Sequence, residues 1–303
     1  MIFHYLKIAF RNLCKHKTQN IISIIGLAVG LLCFCVCIYC SRFVESTDHC
    51  FANHDRIAEL NLYDGKADRY FSGSPVPLAE ELRTWALGET EAISSVTYPR
   101  ERPYYVELSP EKTLPYELET IEIDTCYNKI FTPEMVAGHW KMASQSLSSV
   151  ILSQSMAIKI FGNAESAIGK HMTLMRRLNT SPESTPKTGG IVYIIQAVMK
   201  DIPLNNSLDF MQNIDMLTVN DSEGLLQSPK RHNMTGANTY VLLSPQTTCT
   251  DLEKQFSKRD YTYTLYDEAY TVTASNMGSR LKKQGASYLE LVTGTVGTLI
   301  LLV

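Results

Sequence analysis

The sequence predicts an α+β extracytoplasmic domain of mixed β-sheets and short helices, set between an N-terminal transmembrane helix and the start of a second one. Three observations predict it. From Thr18 to Ser41, "TQNIISIIGLAVGLLCFCVCIYCS", no residue is charged. From Phe51 to Gly285, short β-branched runs alternate with segments of helical period and with turn residues. From Leu291 to Val303 the chain turns apolar again. The boundaries that follow are 1–17 for a cytosolic flank, 18–41 for the first span, 42–284 for the domain, and 285–303 for a second span that is begun and cut short.

In residues 1–17, Phe3, Leu6, Phe10 and Leu13 share one helical face and His4, Lys7, Arg11 and Lys15 the other, the pattern of a basic helix lying in a membrane surface; the alternative is an unstructured basic flank that only fixes topology. The uncharged run then reaches roughly 36 Å at about 1.5 Å per residue, enough to cross a hydrocarbon core of about 30 Å. A cleaved leader has a shorter apolar stretch ending in small residues; this one ends in Tyr39, Cys40, Ser41 and Arg42 and reads as an uncleaved anchor. Lys7, Arg11, Lys15 and Lys17 precede it, whereas Arg42, Glu45 and Asp48 nearly cancel after it, which places the N-terminus in the cytosol. Gly26 and Gly30 form a G-x-x-x-G step, read equally as a close-packing face and as ordinary membrane-helix glycine.

Within the domain, "RIAELNLY" and "DRYFSG" read as strands joined by a turn at Asp64–Gly65. "PLAEELRTWAL" puts Leu78, Leu82 and Trp85 on one helical face. "ISSVTY", "YYVEL", "LETIEID", "VILS", "KHMTLM", "GIVYIIQAVMKDI" and "NTYVLLS" are expected strands; "QSMAIKIF" and "CTDLEKQF" are expected helices. Residues 176–190, rich in Ser, Thr, Pro and Gly, read as a hairpin tip, and "YTYTLYDEAYTVT" as a tyrosine-rich alternating run. The last apolar run, Leu291–Val303, is 13 residues, short of the roughly 17 needed to span, so the chain is expected to be a fragment of a longer membrane protein.

Chemistry is sparse along this chain. With 28 basic and 31 acidic side chains the net charge is -3, which offers no footprint for nucleic acid. "FGNAESAIGKH" resembles a phosphate loop only superficially. Six residues separate Gly162 from Gly169, His171 stands where Ser or Thr should be, and the loop ends a helix rather than opening one. Gly162 instead reads as a helix stop after Phe161, Gly169 as a turn, and Ser153 as the N-cap of "QSMAIKIF".

Five of the eight cysteines, Cys14, Cys33, Cys35, Cys37 and Cys40, lie in or before the span, where i, i+2 spacing on a helix keeps thiolates from converging on a metal. Cys50, Cys126 and Cys249 allow at most one disulfide. "DHCFANHD" gathers His, Asp and Cys and reads as a solvated juxtamembrane linker in preference to a metal site. There is no G-x-S-x-G and no H-E-x-x-H, so no catalytic, cofactor or metal residue is assigned.

Several segments in one order resemble a known family. "LKIAFRNLCKHKTQNIISIIGLAVGL", with Arg11 and Asn12, "FANHDRIAEL", with Asp55 and Arg56, "VILSQSMAIKIFGNAESAIGKHMTL", and "YIIQAVMKDIPLNNSLDF", with Lys200, Asp201, Pro203 and Ser207, are similar to the MacB/FtsX-like ABC transporter permeases that carry a MacB-type periplasmic core domain. Ala197 stands where a glycine is usual, and the later spans are missing. The resemblance implies a bacterial inner-membrane permease subunit, not an enzyme. It implies a separate cytosolic ABC ATPase subunit, a second permease subunit, the lipid bilayer, and room for a periplasmic adaptor. The alternative is a two-span sensor with an extracytoplasmic ligand domain; a membrane-anchored hydrolase is disfavoured by the missing catalytic pattern.

Overall fold

A computed structural model of the chain describes residue 4 and residues 17–71, 73–109, 112–144, 148–174, 191–209, 211–219, 235–265, 267–279 and 281–283. The interfacial helix of 1–17 with Arg11 and Asn12, the hairpin tip 176–190 and the second span 285–303 lie outside the described residues, His4 and Lys17 excepted. The chain divides into two compact units, one of residues 1–47 and 280–303, the other Asp48–Ser279.

The first unit contains helix α1 (Lys17–Glu45), which is apolar and long enough to cross a membrane, and none of its residues is buried. A soluble core helix would bury such a stretch. The helix runs past the expected end at Ser41 because no Gly or Pro stops it; the Ser46 N–H still donates to the Arg42 carbonyl. A Cβ added at Gly26 or Gly30 would meet nothing within 4 Å, so both positions are open.

In the second unit the strands are β1 (Ile57–Asp64), β2 (Arg69–Tyr70), β3 (Ser74–Pro75), β4 (Thr90–Thr97), β5 (Arg100–Ser109), β6 (Lys112–Ile123), β7 (Met135–Gly138), β8 (Ser149–Ser153), β9 (His171–Leu174), β10 (Ile191–Met199), β11 (Met216–Val219), β12 (Thr235–Leu243), β13 (Thr262–Leu265) and β14 (Glu268–Asn276). The helices are α2 (Pro77–Thr84), α3 (Tyr127–Phe131), α4 (Trp140–Ser144), α5 (Gln154–Phe161) and α6 (Cys249–Lys258). All strands belong to one connected mixed sheet, as the α+β expectation requires.

That sheet has two halves. In the first, β6, β11, β8, β10, β9 and β5 pair in that order and β5 returns to β6, so six strands close on themselves. Closure leaves those strands few free edges. Tyr104, Val106, Leu118, Val150, Leu152, Met172, Ile195 and Met216 fill this half together with Met156, Ala157 and Ile160 of α5. A register shift in β10 between Ile195 and Ala197 changes which face its later residues present. Ala197 and Met199 then join a second core with Ile151, Leu217 and Ile121.

In the other half, β4, β12, β1, β14 and β13 form an open antiparallel sheet. Leu78, Ala79 and Leu82 of α2 and Leu252 and Phe256 of α6 pack with Leu60, Leu62, Val241 and Val272 of its strands. The strand path joins the halves at one residue pair, Val96↔Ile123 between β4 and β6.

Two expectations need correction, and a third, the alternating run, is filled out. The two-residue turn at Asp64–Gly65 is a four-residue loop, because Asp64 pairs with Arg69 and its Oδ1 accepts from the backbone N–H groups of Lys66 and Ala67. "DRYFSG" contributes only the two-residue β2. The tyrosine-rich run is a hairpin of β13 and β14, with Asp267 in the left-handed region at its turn.

Candidate functional site

The residues singled out in the sequence converge on α5 and on the segment after β10. Ser153 has extended backbone, and its Oγ accepts from the Met156 N–H at 3.3 Å, which caps α5 as expected. Asp201 adds a second acceptor at the same end, taking the Ser155 N–H on Oδ1 at 3.0 Å. Backbone from a third segment completes the cap, since Ser153 N–H donates to the Asp215 carbonyl at 2.8 Å. At the far end Gly162 adopts φ 85 and its N–H donates to Ile158, the left-handed stop read from the sequence. Phe161 packs against the core of the closed half. Gly169, at φ 78, donates its N–H to Ile195 at 2.8 Å and turns the chain into β9 beside β10.

Lys200 pairs with Glu134 at 3.0 Å, where both side chains are exposed. Beyond it, residues 203–209 build a braced loop. Asn206, fully buried, donates from Nδ2 to the Pro203 carbonyl at 2.6 Å and accepts on Oδ1 from the N–H groups of Leu208 and Asp209. This loop holds Asp48. The Asp48 N–H donates to the Asn205 carbonyl at 3.0 Å, and its carboxylate accepts from the Ser207 N–H and Oγ, each at 2.6 Å. Such charge-assisted bonds are about twice as strong as neutral ones.

Asp48 is 2% exposed with φ 69. A Cβ added at Gly278, at φ 71, would come within 2.3 Å of its Oδ2. The chain therefore enters and leaves the domain at one place, with Met277 N–H on the Ile57 carbonyl beside it.

That arrangement corrects the reading of "DHCFANHD" as a solvated linker. Asp48 and Phe51 are buried, and Phe51 meets Phe131 edge-on at 5.0 Å. Among the described residues no group of three or more His, Cys, Asp and Glu could hold a metal ion. His49 and His54 lie ring against ring at 4.5 Å. Asp55, 3.2 Å from His54, is exposed, whereas Arg56 ties the start of β1 to its neighbours through Glu91 at 2.8 Å and the Leu243 carbonyl at 3.1 Å. Cys50, Cys126 and Cys249 are free thiols. Burial, then Glu253, pushes the Cys249 thiol up to about 11, away from the thiolate that nucleophilic chemistry needs.

Two further clusters were not legible as sites. Asp124 is buried and accepts from Ser94 Oγ at 2.7 Å, Ser95 N–H at 2.9 Å and Cys126 N–H at 3.0 Å, and it pairs with Arg83 of α2. It braces α2 and β4 against the end of β6. Asp209 is 8% exposed and its Oδ2 has no hydrogen-bond partner among the described residues; burial pushes its carboxyl up to about 6. Glu119 is raised by burial first, then by Asp209, Glu101 and Asp215. Among the described residues these side chains position backbone and join segments.

No family model matches the chain, and no curated protein matches it. Solved structures do. A domain of a protein from Porphyromonas gingivalis described as a permease is 19% identical, with a TM-score of 0.56, covering 75% of this chain and 93% of that domain. The periplasmic region of MacB from Actinobacillus actinomycetemcomitans is 14% identical, with a TM-score of 0.46, covering 76% of this chain and 92% of that region. The extracellular domain of the noncanonic ABC-type transporter YknZ from Gram-positive bacteria is 13% identical, with a TM-score of 0.40, covering 73% of this chain and 100% of that domain. The first match shows a shared fold; the other two are looser and nothing rests on them.

Proposed function

We propose that the chain is part of a permease subunit of an ABC transporter, of export or mechanotransmission type, in a bacterial cytoplasmic membrane. Its N-terminus lies in the cytosol and residues 42–284 lie outside, carried on α1. One observation carries the reading: a domain sharing the fold of a permease-protein domain follows directly on a 29-residue apolar helix with no buried residue. A separate cytosolic ATPase subunit supplies the work, and a second permease subunit completes the membrane part. This chain binds no cofactor and makes or breaks no bond itself. The clamp on Asp48 suits such a role, because a pull arriving along residues 46–48 is delivered to the braced 203–209 loop and through Asp201 to α5.

The test is reconstitution of the complete protein with candidate ABC ATPases. A partner that co-purifies, and whose ATP hydrolysis changes when Asp48→Ala is introduced, supports the reading. A complete protein that carries a kinase or methyl-accepting helix pair, and binds no ATPase, replaces it with the sensor.

A further inference from the structure

Pro203, Leu204 and Met211 present apolar side chains outward at the place where the chain enters the domain. Leu204 is 40% exposed and Met211 58% exposed, and Pro203 is exposed beside them. The two are held together, since the Met211 N–H donates to the Leu204 carbonyl at 2.8 Å. Asn206 fixes the turn from within through the Pro203 carbonyl, so presenting these side chains costs little further ordering. An exposed pair of large apolar residues on a braced loop needs a partner or a reason to face water.

Covalent reach identifies the partner. Asn205, next to Leu204, accepts the Asp48 N–H. Asp48 follows the last residue of α1, Glu45, by three residues, which span at most about 10 Å. Near that end of α1, Tyr39 and Phe43 stack at 6.2 Å, the aromatic pair expected where hydrocarbon meets headgroups. From Phe43 to Glu45 the helix rises only about 3 Å. Asp48 is therefore within roughly 13 Å of the aromatic level, and the headgroup zone itself is about 5–8 Å deep.

We infer that Pro203, Leu204 and Met211 form an apolar lip that dips into the headgroup region of the lipid bilayer. The lip gives the domain a second seat on the membrane beside its covalent tether. It rests on the reading of α1 as a membrane span. The nearby charges do not oppose it: Lys200 is paired with Glu134, and Asp201 turns to Ser155.

Bilayer depth can be read by tryptophan quenching. The full chain, unmodified or carrying Leu204→Trp, Met211→Trp or Tyr70→Trp, is reconstituted in phosphatidylcholine vesicles with and without acyl chains brominated near the headgroup. Tyr70 is a fair control: it is 62% exposed and pairs with Tyr63, roughly 20 Å along β1 from Ile57. The emission of Trp85 and Trp140, measured in the unmodified chain, is subtracted. Emission added at positions 204 and 211 is expected to be quenched several-fold more than emission added at 70. Equal quenching at all three positions overturns the lip. If the unmodified chain washes off the vesicles at alkaline pH, α1 is no anchor and both readings fall; if it stays and only the differential quenching is missing, the lip alone fails. The two lip variants are independent, so misfolding of one leaves the other to decide.

Discussion

The closed six-strand half and the open five-strand half are built from the same kinds of residue, yet they hold themselves together differently. In the closed half, the strand path returns to its own start, and β8 and β11 are bonded on both sides over most of their length. A side chain removed there leaves neighbours that cannot shift without breaking several ladders. The open half closes its core with α2 and α6, which lie on the sheet and can settle inward. The halves meet at the Val96↔Ile123 pair, the shared core around Ile57, Ile121 and Tyr240, and the Asp124 brace. Rigidity and compliance thus sit side by side in one domain, joined through that shared core.

The comparison can be broken first at the joint. Asp124→Ala leaves Arg83 half-buried without that carboxylate and the Ser95 N–H without its acceptor, an expected loss of about 3–5 kcal/mol. Denaturant unfolding of the full chain in detergent should then split into two transitions; a single, merely weakened transition means the halves are coupled elsewhere.

Next in size is a matched pair of cavities. Leu118→Ala in the closed half and Leu82→Ala in α2 remove the same atoms from fully buried or nearly fully buried sites. About 3–4 kcal/mol is expected for the first and about 2–3 for the second, because α2 can collapse into its cavity. Equal losses in denaturation midpoints mean that closure adds no stiffness.

Asp209 tests the edge of the closed half by pH. Its folded carboxyl is raised from 3.8 to about 6, so the native state holds the proton more tightly than the unfolded chain does. Stability linked to it is full below pH 3.8 and is lost as pH rises through about 6. Asp209→Asn removes that loss, so at pH 7.5 the variant should exceed the parent by about 3 kcal/mol, with the gap closing toward pH 4. A gap independent of pH means Asp209 keeps the same protonation in both states.

The smallest effect is expected from Ser153→Ala, about 1 kcal/mol, since Asp201 and the Asp215 carbonyl still serve the same helix end. Asp201→Ala added to it should cost more than the sum of the two single changes, measured as a double-mutant cycle.

The sequence carried much of this fold and little of its joint. Strands such as "VILS" and "NTYVLLS", and α5 with its Ser153 and Gly162 ends, were legible because local periodicity and end chemistry coincide. Short elements escaped: β7, α3, α4 and β11 have four or five residues, too few for a period, and exist because neighbours pair with them or bury them. Asp48 was seen, but as part of a linker, since nothing local shows that Ser207, 159 positions later, will take both its oxygens. Asp124 left no signal either, because a buried acid is recognisable only once Arg83, Ser94 and Ser95 surround it. The motif positions Lys200, Asp201 and Pro203 lie in a segment that reaches Glu134, Ser155 and Asn206, partners no local pattern shows.

The contact between Asp48 and Gly278 has one more consequence, which concerns descent rather than force. A domain whose two ends lie side by side can be grafted into a turn of another protein without prising apart the segments on either side of it. Its size is then nearly free to vary, because only the two clamped ends must match the host. Loops between residues 49 and 277 could lengthen or shorten while the host stayed unchanged, provided the Asn205–Ser207 segment that holds Asp48 is kept.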